Sequence, residues 1–368
     1  MQAGCKEWYN IDRQNSGGIM KILEIVSYQS NGKSALCAGI GKKLLNTGKK
    51  TGYVKPVHVI EQSKRQDCRD AFFIGASLEL SIDRQKLCPL HLTRDELQRE
   101  LNEATEDFSA KVLAVCEDAA AGNEVLIIEG PGDLKDDQLA IRAGLFIAEK
   151  MNARVIMLIG YGTDFKDKNI LDTARKFGDR LIGVVFNQVP ENKLKNVKTE
   201  ASEYFKNQGI AVLGAIPEIR ALYGISVGEL AEKLSGELIT AKDKSEDLIE
   251  NIMLGAMSPD SAIDYYNRKK NKAVVTRYDR ADMQLAALET STRCLIVSGG
   301  RPTQSVMVKA DDKKIPVMVV EKSVNEIIDG IESALSVTKF HNIQKLQALN
   351  PLLDTGLDFK AINLALGL

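Results

Sequence analysis

Four adjacent residues, Asn31, Gly32, Lys33 and Ser34, have the clearest chemical potential in the sequence. They follow an apolar, β-branched run that begins at Lys21 and predicts a buried strand, and they lead into a helical pattern. In this strand–loop–helix context, backbone N–H groups and the helix dipole form a cradle for phosphate. Such a P-loop predicts that Lys33 reaches the outer phosphates of ATP and that the Ser34 hydroxyl ligates Mg²⁺.

The loop departs from the full P-loop pattern at its first position. Ser27 stands six residues before Lys33, where the pattern has Gly. Tyr28 follows at the position where partitioning-type ATPases have a second Lys, which argues against that subgroup. Gly-Lys-Ser alone also occurs by chance, and an ordinary strand-to-helix turn is the alternative.

Composition narrows the class of protein. The 368 residues suffice for two domains, with 44% hydrophobic and 27% charged residues. A net charge of −1 and 5% aromatic residues give no basic stacking surface, so we expect no nucleic-acid partner. No apolar run approaches the roughly 18 residues of a membrane span, and residues 1–19 do not resemble a signal peptide. We therefore expect a cytoplasmic protein without a membrane partner, whose residues 1–19 form a disordered extension.

Cysteine and histidine are scattered, without any C-x-x-C spacing. The positions are Cys5, Cys37, Cys68, Cys88, Cys116, Cys294, His58, His91 and His341. This spacing predicts free thiols in a reducing compartment rather than a zinc site or a disulfide framework.

The order of apolar strands and helical patterns predicts the fold class. Between residues 124 and 216, continuous apolar strands alternate with helices, which indicates a mostly parallel sheet of P-loop NTPase type with helices on both faces. We predict this domain over 20–218, a second, smaller α/β domain over 219–340 and a helical tail over 341–368, broken at Pro351 and Gly356. One long helix is predicted from Thr93 to Gly122.

Short motifs recur in a fixed order from Met20 to about residue 338. The first part contains Asn31–Ser34, Gly52–Pro56, Ile127–Gly132, Gly183–Pro190 and Leu213–Pro217. The second part contains Ser226–Ala231, Gly255–Met257, Tyr278–Asp282 and Ser298–Gly300. Together they resemble the dethiobiotin synthetase-like P-loop domain and the DRTGG domain at the front of long-form phosphate acetyltransferases. The acetyltransferase catalytic domain would follow, and because the chain stops about thirty residues later, acetyl transfer is not expected.

The resemblance implies roles for side chains at predicted strand ends. Glu129 would lie near Mg²⁺ and the γ-phosphate, Lys55 would face a substrate carbamate and phosphate, and Asn187 would hydrogen-bond adenine. Asp70, at the start of a helix, is a second candidate for the metal. The alternatives are a loop-capping Glu129, a solvated Lys55, a turn-capping Asn187 and a helix N-terminal Asp70.

In the second domain, Arg280, Gly299 and Gly300 follow predicted strands and are candidates for a ligand site. Adjacent glycines permit close approach of a ligand, and Arg280 can hold an anion bidentately. The alternative is a tight turn with a structural Asp279–Arg280 pair. Tyr278 stands where the DRTGG pattern leads us to expect Gly.

Three hypotheses about function follow. The preferred one is an ATP- and Mg²⁺-binding regulatory or sensor protein, a homodimer whose DRTGG-like module binds an unknown small ligand. The second is an ATP-dependent ligase of dethiobiotin synthetase type, with Lys33 and Lys55 as catalytic residues; the loop lacks the acidic residue of those enzymes, which favours binding alone. The third is a structural scaffold without nucleotide turnover, which the serine at position 27 and the missing acid motivate.

Overall fold

The computed structural model describes residues 20–60, 68–103, 105–132, 137–256, 261–336 and 338–368. The predicted extension at 1–19 lies outside the described residues, as does Met257 of the second-domain motifs. Two compact units emerge, one up to Ile216 together with Gly356–Leu368, and the other from Pro217 to Thr355. The predicted tail is thus divided between the two units.

The first unit contains a six-stranded sheet in the order β2-β5-β1-β6-β7-β8, and a separate parallel pair, β3–β4. The strands are β1 (Lys21–Tyr28), β2 (Thr51–Val54), β3 (Val57–Ile60), β4 (Leu90–Thr93), β5 (Val125–Glu129), β6 (Arg154–Gly160), β7 (Leu181–Val189) and β8 (Val212–Pro217). The pairs β2–β5, β5–β1, β1–β6 and β6–β7 are parallel. The chain leaves the main sheet at Lys55, so β3 pairs with β4 and not with β5.

Helices cover both faces of this sheet. They are α1 (Lys33–Asn46), α2 (Arg69–Ser77), α3 (Arg84–Leu87), α4 (Arg94–Glu103), α5 (Glu106–Ala120), α6 (Asp137–Met151), α7 (Lys168–Lys176), α8 (Leu194–Asn196) and α9 (Ser202–Lys206). Gly41 of α1 approaches Ile127, whereas Gly144 of α6 approaches Val26. Ile127 pairs in register with Leu23, so it and Val26 point to opposite faces. The predicted fold class is confirmed.

The helix predicted from Thr93 to Gly122 is in fact two helices. Thr93 does begin the first, since its hydroxyl accepts from Glu96 N while the Glu96 carboxylate accepts from Thr93 N. The second helix starts at Thr105, whose Oγ1 accepts from Phe108 N at 3.2 Å. The apolar period continues across the break, so only the capping residue marks it.

The second unit contains a five-stranded sheet in the order β10-β15-β14-β13-β12, in which β12 to β15 are parallel. The strands of this unit are β9 (Ile225–Ser226), β10 (Glu237–Leu238), β11 (Leu248–Ile249), β12 (Asn251–Leu254), β13 (Lys272–Arg277), β14 (Thr292–Ser298) and β15 (Val317–Val320). β9 and β11 form a separate antiparallel pair. Continuous apolar strands again form the centre of the sheet.

The remaining helices complete the chain. They are α10 (Arg220–Tyr223), α11 (Val227–Leu234), α12 (Ala262–Asn267), α13 (Ala281–Leu288), α14 (Gln304–Lys313), α15 (Val324–Ser336), α16 (Ile343–Gly356) and α17 (Phe359–Leu366). The predicted break at Pro351 is wrong, because α16 continues through this residue at the loss of one backbone hydrogen bond. Among the described helices, none has the length and apolar character that crossing a bilayer requires.

Candidate functional site

The loop between β1 and α1 lies at the carboxyl end of the central strand. Gly32 caps α1 with φ 108°, and a Cβ there would come 2.5 Å from Asn187 Nδ2. That nitrogen donates to Asn31 O at 2.6 Å. Position 32 therefore favours glycine both because of its positive φ and because a side chain there would meet Asn187. No described side chain caps α1, which leaves its first N–H groups to an anion.

Lys33 begins α1 and lies buried across the loop. Its Nζ donates to Ser27 Oγ at 2.8 Å, and a Cβ at Gly132 would come 2.7 Å from the same Nζ. The serine at the first P-loop position is therefore an acceptor for the lysine of the motif. In the sequence, Ser27 was recognisable only as a departure from the P-loop pattern.

Two buried carboxylates converge on Ser34. Its Oγ lies 2.9 Å from Glu129 Oε1, at the end of β5, and 3.1 Å from Asp70 Oδ2, in the first turn of α2. Glu129 and Asp70 are only 1% and 5% exposed. A hydroxyl and two carboxylate oxygens are the donors that Mg²⁺ prefers, so the residues present fit this ion.

Lys55, just after β2, balances this carboxylate pair. Its Nζ lies 3.1 Å from both Asp70 Oδ2 and Glu129 Oε1, and its side chain is 4% exposed. The solvated alternative for Lys55 is therefore wrong. Lys55 thus forms an ion pair with each carboxylate that could hold the metal.

Tyr53 is a site residue that the sequence did not reveal. Its hydroxyl donates to Glu129 Oε2 at 2.8 Å. Burial, with the Glu129 carboxylate beside it, raises the pKa of Tyr53, so the hydroxyl stays protonated and donates. A tyrosine on a strand is usually a core residue. Although Tyr53 lies within the Gly52–Pro56 motif, nothing in the sequence indicated that it contacts the site.

The predicted first-domain residues are thus brought together around the loop. Asn187 contacts the loop backbone, whereas Ser34, Lys55, Asp70 and Glu129 form one connected group. These contacts place the residues; the roles assigned to them remain predictions.

Arg280, in the second unit, pairs differently from the prediction. Its guanidinium binds Asp282 through Nε–Oδ1 at 3.0 Å and Nη2–Oδ2 at 2.9 Å, whereas Asp279 pairs with Arg277. The predicted Asp279–Arg280 pair is wrong, because Arg280 precedes α13 and reaches the acid in its first turn.

The two glycines of the second unit lie beside Tyr278. β13 and β14 are adjacent and parallel, and Tyr278 N donates to Ser298 O at 3.0 Å. A Cβ at Gly300 would come 3.2 Å from the tyrosine ring, and Gly299 has φ 81°. Both predicted segments therefore share the carboxyl edge of this sheet.

Three buried polar atoms near this edge have no hydrogen-bond partner within the described residues. They are Tyr266 OH, Thr276 Oγ1 and Gln284 Oε1. A Cβ at Gly255 would come 2.7 Å from Tyr266 OH. Because buried polar groups are nearly always satisfied, these atoms mark a place for a polar ligand or water.

Family models cover both units of the chain. The AAA domain model matches residues 27–226, and the DRTGG domain model matches residues 229–334. The phosphate acetyltransferase of Pseudomonas aeruginosa is 23% identical over 275 residues, covering 70% of this chain and 38% of that protein. That of Pseudomonas putida is 20% identical over 294 residues, 77% of this chain and 40% of that protein. The chain thus spans about two fifths of the length of the curated relatives it matches.

Parts of the chain are similar to the solved structures of two other proteins. The CBS and DRTGG domains of Clostridium perfringens pyrophosphatase, complexed with diadenosine tetraphosphate, match at 20% identity and TM-score 0.27, over 30% of this chain and 46% of that one. Cobyrinic acid a,c-diamide synthase from Mycobacterium smegmatis, with ADP and magnesium, matches at 13% identity and TM-score 0.35, over 55% and 88%.

Proposed function

We propose a function for this chain, which belongs to the AAA domain family and has a DRTGG domain after its AAA domain. It is an ATP- and Mg²⁺-binding regulatory or sensor protein of the cytoplasm. The single observation that carries this proposal is the convergence of Ser34, Asp70 and Glu129 within 3.1 Å at the start of α1. Hard oxygen donors beside a phosphate cradle suit a nucleotide bound with magnesium.

The residues of the site divide the work of binding. Lys33 would hold the outer phosphates, and Ser34, Asp70 and Glu129 would hold Mg²⁺, which neutralises phosphate charge. Lys55 forms an ion pair with each of the two carboxylates. The resemblance assigns Asn187 to adenine, whereas its bond to Asn31 O supports a role in positioning the loop.

The test is Mg·ATP binding by calorimetric titration with the purified protein. Lys33→Ala removes a charge-assisted contact of about 1.5–3 kcal/mol, so we expect affinity to fall at least about 10-fold. Lys42→Ala, on the same helix and paired at the surface with Glu79, is the matched control and should leave affinity unchanged. Equal affinity in all three proteins, or no binding by any, would refute the proposal.

An ATP-dependent ligase of dethiobiotin synthetase type is the second candidate, and the position of Lys55 beside the phosphate loop favours it. Both carboxylates already engage this lysine, which supports charge balance more than substrate contact. Phosphate release with candidate amino-carboxylic acids, measured for the wild type and Lys33→Ala, distinguishes the two. Release that depends on both the acid and Lys33 would establish a ligase.

We propose that the second unit binds a small polar anion at the edge near Arg280. There, Tyr266 OH, Thr276 Oγ1 and Gln284 Oε1 are buried without a hydrogen-bond partner among the described residues. In the Lys33→Ala background, AMP and inorganic phosphate serve as probes in a thermal-shift measurement. We expect stabilisation that Arg280→Ala removes and Arg268→Ala retains. Equal shifts in both variants, or none, would contradict this.

We also propose a homodimer, which sedimentation of the full chain tests.

A further inference from the structure

Four side chains from the segment between residues 58 and 91 come together in the folded first unit. One potential ligand atom from each of His58, Cys68, Cys88 and His91 lies within 4.8 Å of all the others. His58 and the two cysteines are buried, and His91 is half-buried. This group, the Cys-His quartet, is not part of the nucleotide site described above.

The fold explains why the quartet forms. In the parallel pair β3–β4, His58 and His91 are register partners, so their side chains emerge on the same face. Cys68 immediately precedes α2, and Cys88 immediately follows α3. Four elements of the segment between β2 and α4 therefore each contribute one ligand atom.

The imidazole of His91 is oriented as that of a metal ligand is. His91 Nε2 donates to Cys88 O at 3.0 Å, while its Nδ1 is buried without a partner within the described part of the chain. A ligating histidine characteristically donates its other ring N–H to a carbonyl or carboxylate in this way. His58 Nδ1 lies 2.9 Å from Cys68 Sγ, and the two ring centroids are 5.3 Å apart.

In the structure, a disulfide joins Cys68 to Cys88. The prediction that these two cysteines are free thiols is therefore wrong. Cys37, Cys116 and Cys294 are free, as predicted, and they are buried. The prediction failed because it required C-x-x-C, while the short spacing here is Cys88-x-x-His91. Strand pairing brings in His58, and Cys68 lies at the start of α2.

We propose that the dithiol form of the Cys-His quartet binds one Zn²⁺ ion. Two thiolates and two imidazoles are the ligands of structural zinc, and bonds of about 2.0–2.3 Å at tetrahedral angles put such donors about 3.6 Å apart. The quartet is compact enough for this with small side-chain adjustments. On binding, the two thiols release two protons to solvent, and the ion with two thiolates is neutral, which suits a buried position.

The ion has a structural role in this arrangement. Four protein ligands leave no open coordination position, so the site is closed to substrate. It fastens β3, β4, the start of α2 and the end of α3 into one unit. Thiolates and imidazoles favour zinc over magnesium, which distinguishes this site from the oxygen ligands around Ser34.

The first experiment measures metal in the full chain after reduction with a phosphine, which converts the disulfide to two thiols, and removal of the reductant under argon. Addition of Zn²⁺ and gel filtration should leave about one zinc per chain by mass spectrometry. Replacement by Co²⁺ should give the intense visible bands and the near-ultraviolet thiolate charge-transfer band of a tetrahedral site.

Cys68→Ser and His91→Ala test the ligands, and Cys294→Ala is the matched control in the second unit. We expect both ligand variants to retain less than about a tenth of the zinc, and the control to retain all of it. Release of zinc from the wild type by mercury reagent, followed with a chromophoric chelator, tests the proposal even where a variant does not fold.

Reduced, folded wild-type protein that binds neither Zn²⁺ nor Co²⁺ would overturn the proposal, and the pair would then be a structural disulfide only. Zinc binding that Cys68→Ser does not diminish would overturn it equally. The measurement involves no nucleotide, so its outcome is independent of the proposed function.

Discussion

Substitution of Glu129 is the most direct test of the magnesium hypothesis. Its carboxylate contacts Ser34, Tyr53 and Lys55. Glu129→Gln keeps the shape and removes the charge, so we expect the gain in ATP affinity that Mg²⁺ brings to fall roughly 10-fold, about 1.4 kcal/mol. Titration with and without Mg²⁺ measures this difference.

Glu124→Gln, just before the start of the same strand and exposed beside Lys49, is the control for Glu129→Gln. A loss of ATP affinity of the same size without Mg²⁺ would show a general defect of the site instead of a lost magnesium ligand.

Glu24, on β1, gives the protein a pH-dependent stability. It is fully buried, neither carboxylate oxygen has a partner within the described residues, and burial raises its pKa well above 4.5. Above pH 4.5, this carboxyl group releases its proton in the unfolded chain but keeps it in the folded protein. The free energy of unfolding therefore decreases with rising pH, by up to about 1.4 kcal/mol per unit, until the folded pKa is passed.

Urea unfolding between pH 5 and 8 checks the effect of Glu24. Glu24→Gln cannot ionise, so its free energy of unfolding should vary less steeply with pH than that of the wild type. Parallel pH profiles for the two proteins would rule out Glu24 as the source.

At the scale of elements, the contact of α6 with β1 depends on a glycine. A Cβ at Gly144 would come 2.7 Å from Val26 Cγ1, and a β-branched side chain on a strand has little freedom to move away. We expect Gly144→Ala to lower the free energy of unfolding by about 1–3 kcal/mol, despite the better helix propensity of alanine. Gly162→Ala, with nothing within 4 Å, should be nearly neutral in the same urea titration. Equal effects would contradict the packing argument.

The sequence predicted elements where local signals suffice. Buried parallel strands appear as unbroken apolar runs, and the motif around Lys33 depends on adjacent residues. Pairing of β3 with β4 has no such signal, because two short strands from distant parts of the chain meet only in the folded protein. His58 and His91 consequently looked isolated, and Tyr53 looked like an ordinary core residue.

At the scale of the whole molecule, each unit has its own hydrophobic core. One cluster in the first unit includes Met157 and Phe186, and one in the second includes Val275 and Ile296. We expect two thermal transitions in calorimetry, of which Mg·ATP raises only one. At a ligand concentration of 100 Kd, the first unit gains about 2.7 kcal/mol, which corresponds to several degrees. In Lys33→Ala, a roughly 10-fold lower affinity should reduce this gain to about 1.4 kcal/mol or less. A shift of both transitions in the wild type would contradict the prediction.

The first turn of α2 has a consequence that reaches beyond either site. Cys68 adjoins this turn and belongs to the Cys-His quartet, whereas Asp70 lies within it and contacts Ser34. Because a helical turn moves as one piece, displacement of the cysteine displaces the carboxylate as well. Any coupling free energy between the two sites is reciprocal. If zinc changes the affinity for Mg·ATP, Mg·ATP must change the affinity for zinc by the same factor.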